Sequence, residues 1–145
     1  MQNPPPNQPG SENQKTALGL DANLGAAIGY PIGIVALIIF IMEKENRFAR
    51  FHALQSLLYH VAWVVVFIVF GIVFAILGVV IAAASSGGGA GGAVGGLIGL
   101  LITLVWLGVI LAYLATLIFA AIKAYGGKWF KIPIVGNMAE KIVNK

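Results

Sequence analysis

Residues 57–84 read LLYHVAWVVVFIVFGIVFAILGVVIAAA, an apolar run that contains no Asp, Glu, Lys or Arg. A helix that crosses the hydrocarbon core needs about 20 predominantly apolar residues, so this stretch is long enough to span a bilayer. Two neighbours share the property: Leu24–Met42, and Val94–Ala124, which meets its first charge at Lys123. The chain reads as an all-α integral membrane protein with three transmembrane helices at these positions. Composition agrees, because 59% hydrophobic and 10% charged residues leave too little polar surface to cover a soluble core. Mean hydropathy is +0.94.

The spans differ in length. At 1.5 Å per residue the second and third would run roughly 40 to 45 Å, against a core of about 30 Å, so tilt is expected and neither divides into two crossings. Leu24–Met42 is barely long enough and is interrupted by Pro31, which predicts a kink or break there.

Upstream, residues 1–16 are rich in Pro, Asn and Gln, with Pro4, Pro5 and Pro6 in succession. Such a segment cannot bury enough apolar surface to offset its ordering entropy and reads as a disordered tail ahead of one helical membrane domain, residues 17–145. It lacks the basic n-region and apolar h-region of a signal peptide and the arginines of a transit peptide.

Basic residues set the expected orientation. Lys15 lies in the tail, Lys44, Arg47 and Arg50 follow the first apolar stretch, and Lys123, Lys128, Lys131, Lys141 and Lys145 end the chain, while Ser85–Gly92 has none. With three crossings, the positive-inside rule puts the first loop and the C-terminus in the cytoplasm and the N-terminus outside the cell membrane. The net charge of +4 is then explained by orientation and contact with anionic lipid, without a nucleic-acid partner.

Small residues recur at helical spacing. Gly25, Gly29 and Gly33 form one stripe, Gly91, Gly95, Gly99 and Thr103 another, and Gly71, Ala75, Gly78 and Ala82 a third. Stripes of this kind let backbones approach in lipid, either within a monomer or between copies. Gly87, Gly89 and Gly92 satisfy a dinucleotide-binding spacing by count, but they sit in a glycine run between apolar stretches, without the strand or the downstream acidic residue that the motif requires.

The densest polar information leads into the second apolar run. Continued as a helix, His52, Ser56 and His60 fall at i, i+4 and i+8 with Gln55 beside them, a polar stripe at membrane depth. It is the candidate functional stripe, read either as interhelical hydrogen bonding or as a contact for a substrate, a partner or a proton at His60. Eight helical residues separate the two histidines by about 12 Å, too far to ligate one metal ion. With no cysteine in the chain, neither a metal site nor a cofactor is expected. Ser56 and His60 have no orienting acid, so an enzyme is not expected either.

After Lys123, glycines end the third helix, and Trp129 and Phe130 between Lys128 and Lys131 have the composition of an interfacial anchor. Phe48 and Phe51, beside Arg47 and Arg50, suit the same headgroup level, and together these eight residues form the candidate cytoplasmic interface. Beyond Pro133, Val135, Met138 and Ile142 share one helical face and Glu140, Lys141 and Asn144 the other, predicting a C-terminal cytoplasmic interfacial amphipathic helix. Docking of another protein is the alternative use of this segment.

The strings EKENRFARFHALQSL (43–57), KAYGGKWFKIP (123–133) and GNMAEK (136–141) resemble small prokaryotic membrane proteins related to the Tic-twenty component of chloroplast protein import. The resemblance runs from Leu18 to Lys141. It implies a helical membrane protein acting within a multi-subunit assembly, with preprotein translocation as the activity of the plastid relatives. The chain departs from plant members, which are read as having four spans. Expected partners are therefore the lipid bilayer, other membrane proteins or further copies of the chain. The expected role is a structural or interaction subunit, with an oligomeric transport component as the alternative.

Overall fold

The computed structural model describes residues 15–86 and 88–144; most of the expected tail, residues 1–14, lies outside the described residues. Five helices follow one another: α1 (Ala22–Ile28), α2 (Gly33–Met42), α3 (Arg47–Ser85), α4 (Ala90–Tyr125) and α5 (Val135–Val143). They fall into two compact units, one holding the chain up to Val61 and from Ala115 onward, the other Ala62–Leu114.

Among the described residues two helices, α3 and α4, are long and apolar enough to cross a membrane. The expectation of three spanning helices is corrected at the first apolar stretch, which is divided into α1 and α2. Pro31 is the cause: it has no N–H to donate and disfavours helical backbone at Tyr30. The ten residues of α2 extend about 15 Å, half the thickness of a hydrocarbon core.

The two pieces of that stretch fold back on each other. Near its start, the Ala17 N–H donates to Glu43 Oε2 at 2.8 Å, so residues flanking both ends of the stretch meet. Thr16, the last residue of the expected tail, is 5% exposed and hydrogen-bonds Leu20. Midway, a Cβ on Gly25 would stand 3.5 Å from Ile39; near the turn, one on Gly29 would stand 3.3 Å from the Ala36 Cβ. The α1–α2 hairpin also packs along the first turns of α3, with Ala36 and Ile39 clustered on Ala49 and Ala53. Its open end lies at Glu43 and Asn46 and its turn at Ser56, whose hydroxyl reaches the Gly29 carbonyl.

Local signals explain the boundaries. Asn46 caps α3, its Oδ1 accepting the Ala49 N–H at 3.0 Å. At the far end of α4, Lys128 N–H bonds the Lys123 carbonyl and Gly127 N–H the Ala124 carbonyl, with Gly127 at φ 66°. This Schellman arrangement requires a left-handed residue, which glycine adopts without a Cβ penalty. The expectation that glycine ends this helix therefore holds.

In the second unit α3 and α4 run antiparallel. Trp63 meets Tyr113 at 5.3 Å between ring centroids, Phe67 stacks on Trp106 at 5.8 Å, and Phe74 meets Trp106 at 5.6 Å. Gly95 admits the side chains of Ser85 and Ile81, whereas a Cβ at Gly71, Gly78 or Gly99 would touch nothing within 4 Å. Small residues at Gly25, Gly29 and Gly95 thus serve close packing inside the chain, and Gly99 does not; a Cβ on Gly33 would stand 4.0 Å from the His60 ring, an ordinary contact. Outward-facing residues such as Val64, Ile68, Ile76, Leu97 and Leu101 are exposed and apolar, as a lipid-facing surface must be.

Candidate functional site

The predicted polar stripe lies at the start of α3, and its first three members, His52, Gln55 and Ser56, are fully buried. Sequence spacing brought them to one side of a helix; the structure supplies what they face. Gln55 Nε2 donates to the Tyr30 hydroxyl at 2.6 Å and to the Phe130 carbonyl at 3.0 Å, while its Oε1 accepts the Ile132 N–H at 3.1 Å. Because Tyr30 accepts from Gln55, its own O–H is free to donate to His52 Nδ1 at 2.9 Å. That assigns the His52 proton to Nε2, which donates to the Lys128 carbonyl at 3.2 Å. One directional chain, Gln55 to Tyr30 to His52 to Lys128, satisfies every member.

Ser56 and His60 complete the stripe. Ser56 Oγ donates to the Gly29 carbonyl at 2.7 Å, and His60 Nδ1 donates to the Ser56 carbonyl at 2.7 Å. Their side chains stand 3.4 Å apart, yet the serine proton points at Gly29 and the imidazole N–H at the backbone. No activated nucleophile results from this arrangement.

The backbone groups that the stripe reaches have a common origin. Gly29 borders the break at Pro31, and Lys128, Phe130 and Ile132 belong to the irregular segment between α4 and α5. Irregular backbone that is buried must find hydrogen-bond partners within the protein, since water does not reach it. The stripe supplies them for both interruptions at once. Gly136 makes room: a Cβ there would fall 2.5 Å from Gln55 Oε1 and 2.9 Å from Lys131 Cα.

Around this brace pack the aromatic residues of the expected interface, with Trp129 and Phe130 half-buried. Phe48 and Phe51 are buried, and the Trp129 ring packs 5.6 Å from Phe48 and 5.1 Å from Phe51. Phe130 meets Phe119 edge to face at 5.1 Å. Of the four basic members of the expected interface, Arg47, Lys128 and Lys131 are exposed and Arg50 is half-buried. Arg47 hydrogen-bonds Asn144, Lys131 pairs with Glu140 at 2.7 Å, and Arg50 lies over the Phe40 ring at 5.4 Å.

Sequence reasoning missed Tyr30, Glu43 and Gly136. A tyrosine directly before Pro31 in an apolar stretch was the available signal for the first, since a buried phenol needs a partner. Glu43 accepts the N–H groups of Ala17, Glu45 and Asn46. Burial alone would raise its pKa, but these backbone donors hold the carboxyl below the usual carboxylate range. Among the described residues, no three His, Asp or Glu side chains cluster as metal ligands would.

Residues 12–139 match the magnetosome magnetite crystal formation protein family. The chain belongs to that family. Its relatives include a UPF0132 membrane protein of Methanocaldococcus jannaschii, 33% identical over 129 residues that cover 88% of this chain and 93% of the relative. A UPF0132 membrane protein of Archaeoglobus fulgidus is 30% identical over 126 residues, covering 82% and 92%. No solved structure matches. Membership of this family agrees with the two long apolar helices. These relatives support a membrane-protein family and do not support kinship with the Tic-twenty component.

Proposed function

We propose that this member of the magnetosome magnetite crystal formation protein family is a structural or interaction subunit of a membrane assembly, without enzymatic activity. The observation that carries the reading is the polar stripe itself: its hydrogen-bonding groups are turned to the chain's own backbone at Gly29, Lys128, Phe130 and Ile132. Such a brace holds a shape; it does not expose a reactive group. Two acidic side chains are engaged likewise, Glu43 by backbone N–H groups and Glu140 by Lys131.

In this reading the α3–α4 hairpin seats the protein in the cell membrane with both described ends, Lys15 and Asn144, on the cytoplasmic side. This replaces an external N-terminus, which depended on three crossings. Ala17 bonds Glu43 and Asn144 bonds Arg47, so both described ends meet the start of α3. All nine basic residues lie, by position, at or before Arg50 or at or after Lys123, and the positive-inside rule then favours one cytoplasmic face, with the glycine loop outside. Bilayer lipid and other membrane proteins are the partners in this reading, and nucleic acid is not.

A photocrosslinker on single cysteines at Lys44, Lys128 and Asn137, in native membranes, tests it. Adducts with one defined protein are expected; lipid adducts alone from all three positions would defeat it. An oligomeric transport component, the alternative, needs several copies to enclose a pore, and a strictly monomeric protein in native membranes would exclude it.

A further inference from the structure

The last helix divides its circumference into three sectors. Gly136, Ala139 and Val143 are buried, with Ala139 and Val143 packed on Phe51 and Leu54 of α3. Asn137, Lys141 and Asn144 are exposed and polar. Between these sectors, Met138 and Ile142, four residues apart, form an exposed apolar stripe, with Val135 half-buried beside it. A helix that needed only protein and water around it would have two sectors, and the third calls for a further medium.

At the head of this stripe stands Ile134, 77% exposed, with φ 69° and ψ −64°. The Val135 N–H bonds the Pro133 carbonyl at 2.8 Å, which closes a γ-turn of the rare strained kind around a β-branched residue. The turn holds an apolar side chain outward at a backbone cost, where glycine would fit without strain.

Depth indicates the occupant. α5 packs on Phe51 and Leu54, about 10 to 15 Å along α3 from Val61, the first large apolar residue of that helix to be exposed. At the same end of this unit, Ile41 and Met42 of α2 are exposed, as are Ile122 and Tyr125 of α4. The apolar surface therefore reaches the level of α5, where exposed Lys128 and Lys141 accompany it. An amphipathic helix at a membrane surface buries its apolar face about 5 to 10 Å into the headgroup boundary, with basic residues favouring anionic lipid.

We infer that Ile134, Met138 and Ile142 form a membrane-inserting ridge by which α5 docks on the anionic lipid of the cytoplasmic leaflet. The inference rests on the bilayer placement proposed above and is independent of the subunit role. It adds the exposed stripe of α5 to the half-buried Trp129 and Phe130 as an interfacial anchor.

The absence of native cysteine permits a direct test. Nitroxide labels on single cysteines at Asn137, Met138, Lys141 and Ile142, with Val64 as a reference, are read in the full chain for accessibility to oxygen and to an aqueous nickel chelate. Nanodiscs of phosphatidylcholine are compared with nanodiscs that also contain phosphatidylglycerol. Labels at 138 and 142 are expected to be shielded from nickel and accessible to oxygen, more so with phosphatidylglycerol, while 137 and 141 show the reverse. In a Met138→Cys background, Lys141→Gln should lower the docked fraction ratio about fivefold in the anionic membrane only. Nickel access at 138 and 142 equal to that at 137 and 141, with Val64 in lipid, overturns the inference; an aqueous Val64 overturns the bilayer placement instead. Shielding accompanied by dipolar coupling between labels on two copies also overturns it, and assigns the ridge to a second copy.

Discussion

Replacing Gln55 by leucine removes a side chain whose amide joins three separate parts of the first unit. It deletes donors to Tyr30 and Phe130 and an acceptor for Ile132, at 2.6, 3.0 and 3.1 Å. Leucine fills similar volume, so the expected loss comes from polarity. The Ile132 N–H is left buried and the Phe130 carbonyl partly buried without their partner, at about 1 to 3 kcal/mol for the first and about 1 kcal/mol for the second, which sums to about 2 to 4 kcal/mol. Tyr30 keeps its bond to His52 but loses a donor. Interhelical side-chain bonds in membranes measure lower, about 0.6 to 2 kcal/mol, because the unfolded reference also finds partners. The backbone groups at 130 and 132 put Gln55→Leu above that range. Reversible denaturation in mixed micelles, followed by circular dichroism, gives the stability difference, and amide exchange at Ile132 locates it. Combined with Tyr30→Phe, the double-mutant cycle should return a coupling of about 0.6 to 2 kcal/mol. A Gln55→Leu protein within about 0.5 kcal/mol of wild type, with unchanged exchange at Ile132, would refute the idea that the stripe braces the irregular backbone.

Other substitutions probe separate links. Gly136→Ala drives a Cβ into Gln55 Oε1 and the Lys131 backbone, and it should cost about 1 to 3 kcal/mol by thermal or chemical denaturation. Ile134→Gly relieves the strained γ-turn and should raise stability by about 1 kcal/mol while weakening α5 docking, a trade that melting curves and the accessibility measurement read together. Glu43 has a folded pKa below its ordinary 4.5. Its stabilising contribution is thus complete above that value and lost as pH falls through the lower folded pKa. Glu43→Gln should be less stable at neutral pH and show a flatter acid limb; identical acid limbs in variant and wild type would contradict the role assigned to this carboxylate.

Much of this arrangement could be read from the chain, with limits that have physical causes. The uncharged runs of α3 and α4 identified helices long and apolar enough to cross a membrane, and the i, i+4 spacing of His52, Ser56 and His60 placed them on one side of a helix. Gly127 ended α4 because its left-handed conformation suits few other residues. Pro31 announced a break, but a proline predicts only a lost hydrogen bond and a local clash, not the direction of the chain beyond it. That direction depends on Ala36 and Ile39 packing on Ala49 and Ala53, and on Glu43 reaching Ala17, contacts for which the local pattern holds no signal. For the same reason the partners of the stripe were illegible: Gln55 meets Phe130 and Ile132 from 75 and 77 residues away, through backbone groups that carry no residue-specific mark. The packing of Trp129 on Phe48 and Phe51 was likewise illegible, because an aromatic residue between lysines suits a membrane interface and a packed aromatic cluster equally well.

The fold-back of the first apolar stretch is tested most directly by the sidedness of single cysteines in sealed, oriented vesicles, labelled by an impermeant maleimide. The account predicts that Leu18, Lys44 and Asn137 react from one side and Gly89 from the other. If Leu18 reacts from the side of Gly89 while Lys44 does not, the first stretch crosses the membrane and the two-span account is wrong.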